Sequence, residues 1–278
     1  MKIIELLTLF NEIELLKVHI EEHWDYVDKF VISEAAHTYA KRPKPFNFEA
    51  NIEQFKPYMD KIQYMKLDMS DSLFWTDCRA NQNIQQYWPL LVHPEYMREY
   101  DYCLHNDLDE IIDSRHWPRF LERVKAEDYP KHVKCNLRHF RNYLNWEFPS
   151  FDYEVFRFSK LEGDAKFLVP YKPDFSLFND GTYGYHFTFM GGVDKAKYKL
   201  ENFMHWRNVN KEALDTLKPD QYSFYYRDDV YGSPKVHANP KEEMPKAIQD
   251  NWEFFKTWVA PNSPIHLPKN APAKVVKR

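Results

Sequence analysis

Two aspartates separated by a single residue are the feature of this sequence best suited to chemistry. Asp107 and Asp109 follow the apolar run 102–104, which has the character of a buried strand, and Glu110 comes directly after them. Carboxylates at the end of such a strand can point into a common cleft, and oxygen ligands of this kind suit Mn²⁺ or Mg²⁺. The pattern therefore predicts that a divalent cation binds there and that this cation can bind a diphosphate.

A β-α-β unit is predicted to open the chain and to position this motif. Residues 2–9 form an apolar strand, Asn11 is a plausible N-cap, and apolar residues then recur at helical spacing up to Trp24. Residues 29–34 form the second strand. Such a unit favours a parallel sheet, in which ligands collect at the carboxyl ends of the strands.

The remaining pattern predicts an α/β fold with a mixed central sheet flanked by helices. The parallel half is expected to gain antiparallel strands after the acidic motif. The further predicted elements are strands at 62–67 and 101–106, helices at 77–91, 114–124 and 246–258, antiparallel strands within 133–158, and a proline-rich tail. We expect residues 1–240 to form one domain, with a donor half of about 1–115 and an acceptor half of about 116–240, followed by a C-terminal helix and tail at 241–278.

Other polar residues are predicted at the same edge of the sheet as the acidic pair. Asn11 and Glu12 follow the first strand, and Ser33 and Glu34 end the second. Taken singly, Asn11 is more simply a helix cap and Glu34 a solvated side chain. Their shared position at the carboxyl ends of parallel strands makes them candidates for binding the donor substrate.

Composition excludes several classes of protein. The net charge of −4 and the scattered basic residues argue against a nucleic-acid partner. Three cysteines, far apart in the sequence, lack the spacing of a zinc site or disulfide framework, which predicts reduced thiols in the cytoplasm. No apolar run approaches the roughly 20 residues that a membrane span needs, so a soluble protein without a membrane anchor is expected.

A metal-bound diphosphate suits the transfer of a sugar from a nucleotide-sugar donor. Negative charge builds on the leaving phosphate oxygen, and a cation bridging Asp109 and the phosphates would neutralise it. Asp107 would contact the ribose or bind the cation through water. An inverting transfer also needs a base for the acceptor hydroxyl. The candidates, which the sequence does not rank, are Glu147, Asp164 and Asp228.

Three further sets of residues are candidates for holding the donor or the metal. His186 and His205 compete as a metal or diphosphate ligand, although a single histidine is often a packed residue. Gly191 and Gly192 would let backbone amides approach a phosphate, or they form an ordinary turn. Arg79 would hold a phosphate or Asp107, or make an internal salt bridge.

An ordered series of segments resembles the glycosyltransferase family 17 proteins, which include β-1,4-mannosyl-glycoprotein β-1,4-N-acetylglucosaminyltransferases. The resemblance spans about residues 1–205, and its main segments are Leu9–Leu16, Val27–Glu34, Lys44–Phe48, Asn106–Ile111 and Tyr183–Gly192. It implies a GT-A type fold, an inverting mechanism, a nucleotide-sugar donor such as UDP-GlcNAc and a glycan acceptor. Tyr185 stands where tryptophan is common in the family. The membrane anchor of the family's usual eukaryotic form is not expected here, which puts a Golgi location and a protein N-glycan acceptor in doubt.

These observations together predict a metal-dependent, inverting glycosyltransferase that moves GlcNAc or a related hexose. Two alternatives remain from the residues alone. One is a sugar- or nucleotide-binding protein that has kept the fold without catalysis. The other is a phosphotransferase or phosphatase of the haloacid dehalogenase kind, whose similar acidic motif normally lies near the N-terminus.

Overall fold

A computed structural model describes five stretches of the chain: residues 1–68, 78–149, 158–161, 176–203 and 234–260, with only the backbone described at 78–80. Three predicted site residues, Asp164, His205 and Asp228, lie outside these stretches. The side chain of Arg79 and the proline-rich tail after residue 260 also lie outside them.

The chain opens with the predicted β-α-β unit. Strand β1 (Ile3–Leu9) and strand β2 (Lys29–Ala35) pair in parallel, with Leu7 opposite Ile32, and helix α1 (Ile13–His23) connects them. Both strands are buried almost throughout, as their predominantly apolar sequences require of strands covered on both faces. One detail was wrong. Glu12, rather than Asn11, is the residue that precedes the helix, and neither forms a side-chain cap there.

Two more strands extend the parallel half of the sheet. Strand β3 (Ile62–Leu67) pairs with β2, and β4 (Tyr102–Leu104) pairs with β1, so the order is β3-β2-β1-β4. The connecting helices are α2 (Asn47–Ala50), a 3₁₀ helix (Ile52–Tyr58), α3 (Cys78–Val92) and α4 (Tyr96–Glu99). Since β1, β2 and β4 run in the same direction, their carboxyl ends share one edge, as the sequence predicted.

Mainly antiparallel pairing completes the sheet, which confirms the mixed α/β fold class. The additional strands are β5 (Glu110–Ile112), β6 (His132–Arg141), β7 (Trp146–Phe148), β8 (Phe158–Lys160), β9 (Ser176–Thr188) and β10 (Lys235–Val236). Strand β8 joins β4 to β6, and the long β9 pairs with β5 antiparallel and with β6 in parallel. The acidic motif thus runs directly into a strand, whereas the sequence predicted a helix as the next element. Helix α5 (Trp117–Ala126) follows β5.

The helix predicted at 246–258 is broken into shorter pieces. Helix α7 (Pro240–Glu243) precedes this segment, and the pieces within it are α8 (Lys246–Asp250), α9 (Trp252–Phe255) and a 3₁₀ helix (Lys256–Trp258). The break falls at Asn251, whose side-chain amide donates to the backbone oxygen of Ala247 at 2.9 Å. Asparagine side chains compete in this way with helical hydrogen bonding. Ile248 and Trp258 nevertheless belong to the main hydrophobic cluster. The predicted division of the chain at residue 240 stays a prediction.

Two properties of the described residues bear on the predicted environment of the protein. None of the helices in the described stretches has the length and apolar character that crossing a bilayer requires. Cys103 and Cys135 are buried free thiols, and burial raises the pKa of each well above its usual value. Both therefore stay protonated at neutral pH and act as small apolar side chains.

Gly184 allows the close approach of β9 to β5. A Cβ atom at this position would lie 2.0 Å from the backbone oxygen of Ile111 and 2.7 Å from the Cα atom of Ile112. Backbone atoms can move aside only if the strands separate. We therefore expect Gly184→Ala to lower the free energy of unfolding by about 2 to 3 kcal/mol in chemical denaturation. The control is Asn179→Ala on the exposed part of β9, and equal stability of the two variants would contradict the packing argument.

Candidate active site

The acidic loop, residues 105–109, lies at the carboxyl end of β4, and hydrogen bonds to its backbone oxygens hold it in place. The Glu110 amide donates to the Asp107 carbonyl oxygen at 3.0 Å, and the Phe187 amide donates to that of Asp109 at 2.8 Å. Leu108 is buried in the main core, so the two aspartates flank an anchored residue. Asp107 is exposed and accepts a hydrogen bond from Gln82 at 3.3 Å, whereas Asp109 is turned inward. The two acids therefore occupy different environments.

Asp109 belongs to a cluster with Glu12, His186 and Lys199, here called the acidic cluster. The Lys199 ammonium lies 2.7 Å from Asp109 Oδ2 and 3.0 Å from Glu12 Oε1. His186 Nε2 lies 3.8 Å from Asp109 Oδ1. Four elements meet here: the loop after β1, the acidic loop, β9 and helix α6 (Val193–Asn202). Glu12, Asp109 and His186, predicted from separate parts of the sequence, are brought together.

The charges in the acidic cluster stabilise one another. Burial alone would raise the pKa of Asp109, but Lys199 and His186 outweigh it and hold that pKa below its usual value. Burial would also lower the pKa of Lys199, but Asp109 and Glu12 outweigh it and raise that pKa. Asp109 is thus a carboxylate and Lys199 an ammonium at neutral pH.

His186 reaches Asp109 because of the strand register. It lies opposite Glu110 of β5, which follows the acidic loop, and opposite His139 of β6. The rings of His186 and His139 stack with centroids 5.0 Å apart, and the Thr188 hydroxyl lies 3.0 Å from His186 Nε2. His186 is therefore held at the cluster by β9 and its neighbouring strands.

A small cleft opens beside the acidic cluster, and Glu12 and Lys199 are part of its wall. Charged side chains and apolar or aromatic side chains both line it, as in many small-molecule sites. The lining residues are Asn11, Glu12, Glu14, Leu15, Phe187, Phe189, Met190, Lys195, Lys199 and Trp258. Trp258 comes from the C-terminal 3₁₀ helix, so residues near position 260 help to form this cleft.

Gly191 and Gly192 form the turn between β9 and α6, beside the cleft. Their φ angles are +93° and +88°, a region that favours glycine. A Cβ at Gly191 would lie 2.5 Å from the Cδ atom of Lys195. The ordinary-turn interpretation accounts for both glycines, and their contact with a phosphate stays a prediction.

Ser33 and Glu34 are buried structural groups, in contrast to the donor contacts that the sequence suggested. The Glu34 carboxylate is fully buried and accepts hydrogen bonds from Lys44 Nζ at 2.5 Å, the Phe48 amide at 3.1 Å and the Tyr64 hydroxyl at 2.9 Å. The Ser33 hydroxyl donates to the Gln85 carbonyl oxygen at 2.8 Å. Both therefore tie β2 to neighbouring segments of the fold.

Glu147 is held by a bidentate ion pair. Arg138 donates to its two carboxylate oxygens at 2.8 and 2.9 Å, and His237 Nε2 lies 2.6 Å from one of them. Burial would raise the pKa of Glu147, but the hydrogen bonds and charge of Arg138, with His237, hold it below its usual value. A carboxylate stabilised in this way is a poor proton acceptor.

Beneath the acidic loop lies a buried network that the sequence analysis missed. The Glu5 carboxylate lies 2.7 Å from His19 Nε2 and 2.9 Å from His23 Nδ1, and all three residues are fully buried. His19 Nδ1 contacts the Leu108 carbonyl oxygen at 2.9 Å, and the Ile112 amide donates to His23 Nε2 at 3.0 Å. The signals in the sequence were an acid inside an apolar strand and two histidines four residues apart, on one helix face.

The hydrogen bonds of this network fix its protonation and argue against a metal there. Its three side chains lie close enough together to share an ion. However, His23 Nε2 accepts a proton from the backbone, so His23 Nδ1 must carry the proton that it donates to Glu5. His19 faces acceptors on both nitrogens, which favours its charged form. Although burial opposes charge at Glu5 and His19, their mutual attraction lowers the pKa of Glu5 to about 2 and raises that of His19. Burial is the main cause that lowers the pKa of His23.

Comparison with known proteins identifies the family. The sequence profile of glycosyltransferase family 17 matches residues 1–232, which is most of the chain. This chain belongs to glycosyltransferase family 17. The match includes every residue of the acidic cluster and confirms the predicted family. The protein is therefore a glycosyltransferase, which acts on a donor and an acceptor.

The chain was also compared with solved structures and with curated proteins. The family 17 fold is similar to the crystal structure of mannose-1-phosphate geranyltransferase from Thermus thermophilus, with 15% identity over 86% of this chain and 70% of that chain. The TM-score of this pair is 0.29. Comparison with curated proteins finds no match.

Proposed function

We propose that the protein moves a hexose, with GlcNAc favoured, from a nucleotide sugar to a glycan hydroxyl in a metal-dependent, inverting reaction. A UDP-sugar is the favoured donor. The observation that carries the proposal is the convergence of the Asp109 and Glu12 carboxylates on a single cationic nitrogen beside His186. This cluster lies at the carboxyl edge of the parallel strands, where such sheets bind ligands.

The donor atoms of the acidic cluster are of types that bind a divalent cation. Carboxylate oxygens with one imidazole nitrogen are donors that Mn²⁺ accepts, and Mg²⁺ suits the carboxylates. Asp109, Glu12 and His186 would hold the ion, and the exposed Asp107 would bind it through water or contact the ribose. When bound, the ion would supply Lewis-acid stabilisation of the leaving diphosphate.

The residues of the cleft complete the proposed donor site. Lys195 and Lys199 bring positive charge, which favours phosphate groups. Phe189 and Trp258 offer apolar faces on which a sugar or base can pack. The buried Ser33 and Glu34 are left out of this site. The ion pair with Arg138 makes Glu147 a weak base, so Asp164 and Asp228 are the remaining proposed bases, together with Arg79 and His205 as further donor or metal ligands.

A panel of nucleotide sugars tests the proposed function. The protein is heated with each donor, with Mn²⁺ and with EDTA, and the release of nucleotide is followed with and without glycan acceptors. We expect one donor to raise the melting temperature only with Mn²⁺, because a bound ligand stabilises the folded state. The same donor should be slowly hydrolysed. Stabilisation without turnover would favour the non-catalytic binding protein instead, and activity that persists in EDTA would contradict metal dependence.

Replacement of His186 tests its proposed contact with the metal. We expect His186→Ala to weaken Mn²⁺ binding about tenfold or more, since loss of a ligand or its support costs this much in metal sites. Isothermal titration with Mn²⁺ alone provides the measurement. The matched control is His93→Ala, because His93 pairs with Glu95 at 2.9 Å, outside the acidic cluster. Unchanged Mn²⁺ affinity in His186→Ala would make His186 a packing residue.

A further inference from the structure

Lys199 occupies the position between carboxylates that a divalent cation would need. Its ammonium touches Asp109 at 2.7 Å and Glu12 at 3.0 Å, and its side chain is only about one-fifth exposed, at 21%. One lysine balances only one of these two carboxylates, whereas a divalent ion would balance both. An ammonium and a divalent ion repel each other and cannot share the same oxygens. Lys199 and the proposed metal therefore compete.

The position of Lys199 also lets it reach a second partner. It lies in the last turn of α6 and lines the cleft beside the acidic cluster. The four-carbon stem of a lysine lets its ammonium leave a carboxylate without movement of the helix. A diphosphate held by the metal would place negative charge in the same cleft. Lysine binds phosphate as a point charge, so it offers the displaced ammonium a new partner.

We propose that Lys199 is an internal cation that a divalent ion displaces from Asp109 and Glu12, and that then binds the diphosphate of the donor. This inference rests on the proposed metal-dependent function. Lys199 thereby couples the two ligands. Displacing the ammonium from the two carboxylates weakens the binding of the metal. The contact that the displaced ammonium then makes with the diphosphate offsets this loss. Mn²⁺ and diphosphate consequently bind with positive cooperativity.

The test measures binding by three variants with Mn²⁺ alone and with inorganic pyrophosphate. Lys199→Met should bind Mn²⁺ about tenfold more tightly than the wild type, because no charge-assisted hydrogen bonds need to be broken. At saturating Mn²⁺, the same variant should bind pyrophosphate about tenfold more weakly. The matched control is Lys66→Met, since Lys66 forms an exposed pair with Glu49 at 2.5 Å, and both affinities should equal those of the wild type.

Asp109→Asn separates failure of this inference from failure of the proposed function. If Asp109→Asn weakens Mn²⁺ binding while Lys199→Met leaves it unchanged, the metal site stands and the role of Lys199 is wrong. If the wild type and both variants bind no Mn²⁺, the proposed function and the inference are both wrong. Circular dichroism and melting temperatures establish that each variant is folded.

A measurement on the wild type covers the case in which Lys199→Met does not fold. Acetylation of Lys199 by acetic anhydride is followed by mass spectrometry. The rate should be low in the protein alone, rise when Mn²⁺ is added and fall again with pyrophosphate. A rate at Lys199 that Mn²⁺ does not change would overturn the proposal.

Discussion

Asp109→Asn is expected to reduce sugar transfer by about a thousandfold in kcat/KM, the upper range for loss of one group that stabilises charge in a transition state. The substitution keeps the size of the side chain but removes its charge. Asp109 is the carboxylate closest to both Lys199 and His186 in the acidic cluster. Its loss removes the centre of the proposed cation site, so Mn²⁺-dependent binding of the donor should fall along with transfer.

Asp107→Asn provides the matched comparison for this prediction. Asp107 is exposed and hydrogen bonds to Gln82, so a role through water or the ribose predicts a smaller loss of about tenfold. Steady-state kinetics and Mn²⁺ titration of both variants give the comparison. A larger loss in Asp107→Asn would reverse the two roles. Full activity in Asp109→Asn would remove the acidic cluster from the mechanism.

The parallel half of the fold could be predicted from the sequence because its signals are local. Strand β3 has the predicted bounds, and α3 ends one residue beyond the predicted end at 91. Strands β1 and β2 contain the apolar runs that are typical of buried parallel strands, and α3 has a long helical repeat. Strand β5 has only three residues, too few for a period of two to be recognised. The sequence therefore placed the acidic motif at a strand end but missed the strand that follows it.

The candidate site could be predicted only in part, because much of it depends on long-range contacts. Asp109 and His186 were candidates by residue type and context. Lys199 was not, since 90 positions separate it from Asp109 and nothing local distinguishes it from other helix lysines. Glu34, in contrast, was a candidate from the sequence but is a buried structural group. It lies at the carboxyl end of β2, on the edge where the sequence predicted the donor site, yet the segment that includes Lys44 and Phe48 buries it.

The buried network of Glu5, His19 and His23 connects the stability of the core to the acidic loop. His19 contacts the carbonyl oxygen of Leu108, between the two aspartates of the motif, and His23 accepts the amide proton of Ile112. These bonds hold the backbone on both sides of Asp109. We therefore infer that damage to the network displaces the acidic cluster as well as destabilising the fold.

Glu5→Gln is expected to lower the free energy of unfolding by about 3 kcal/mol, because it removes one partner of a fully buried ion pair. Urea denaturation at pH 7 provides the measurement. The control is Glu53→Gln, whose exposed pair with Lys56 at 2.5 Å should contribute less than about 1 kcal/mol. Equal effects of the two substitutions would show that Glu5 makes no strong buried pair.

The pH dependence of stability gives a second test of the same network. The pKa of Glu5 is lowered from 4.5 to about 2 in the folded state, so its stabilisation is complete above pH 4.5 and is lost as the pH falls towards 2. The raised pKa of His19 adds stability below pH 6.5 that declines as the pH rises. The lowered pKa of His23 acts in the opposite direction, so the contributions of the two histidines to the pH dependence of stability partly cancel. Urea denaturation between pH 2 and pH 4.5 should therefore show a steeper loss of stability in the wild type than in Glu5→Gln. Parallel curves would mean that Glu5 is not ionised in the fold.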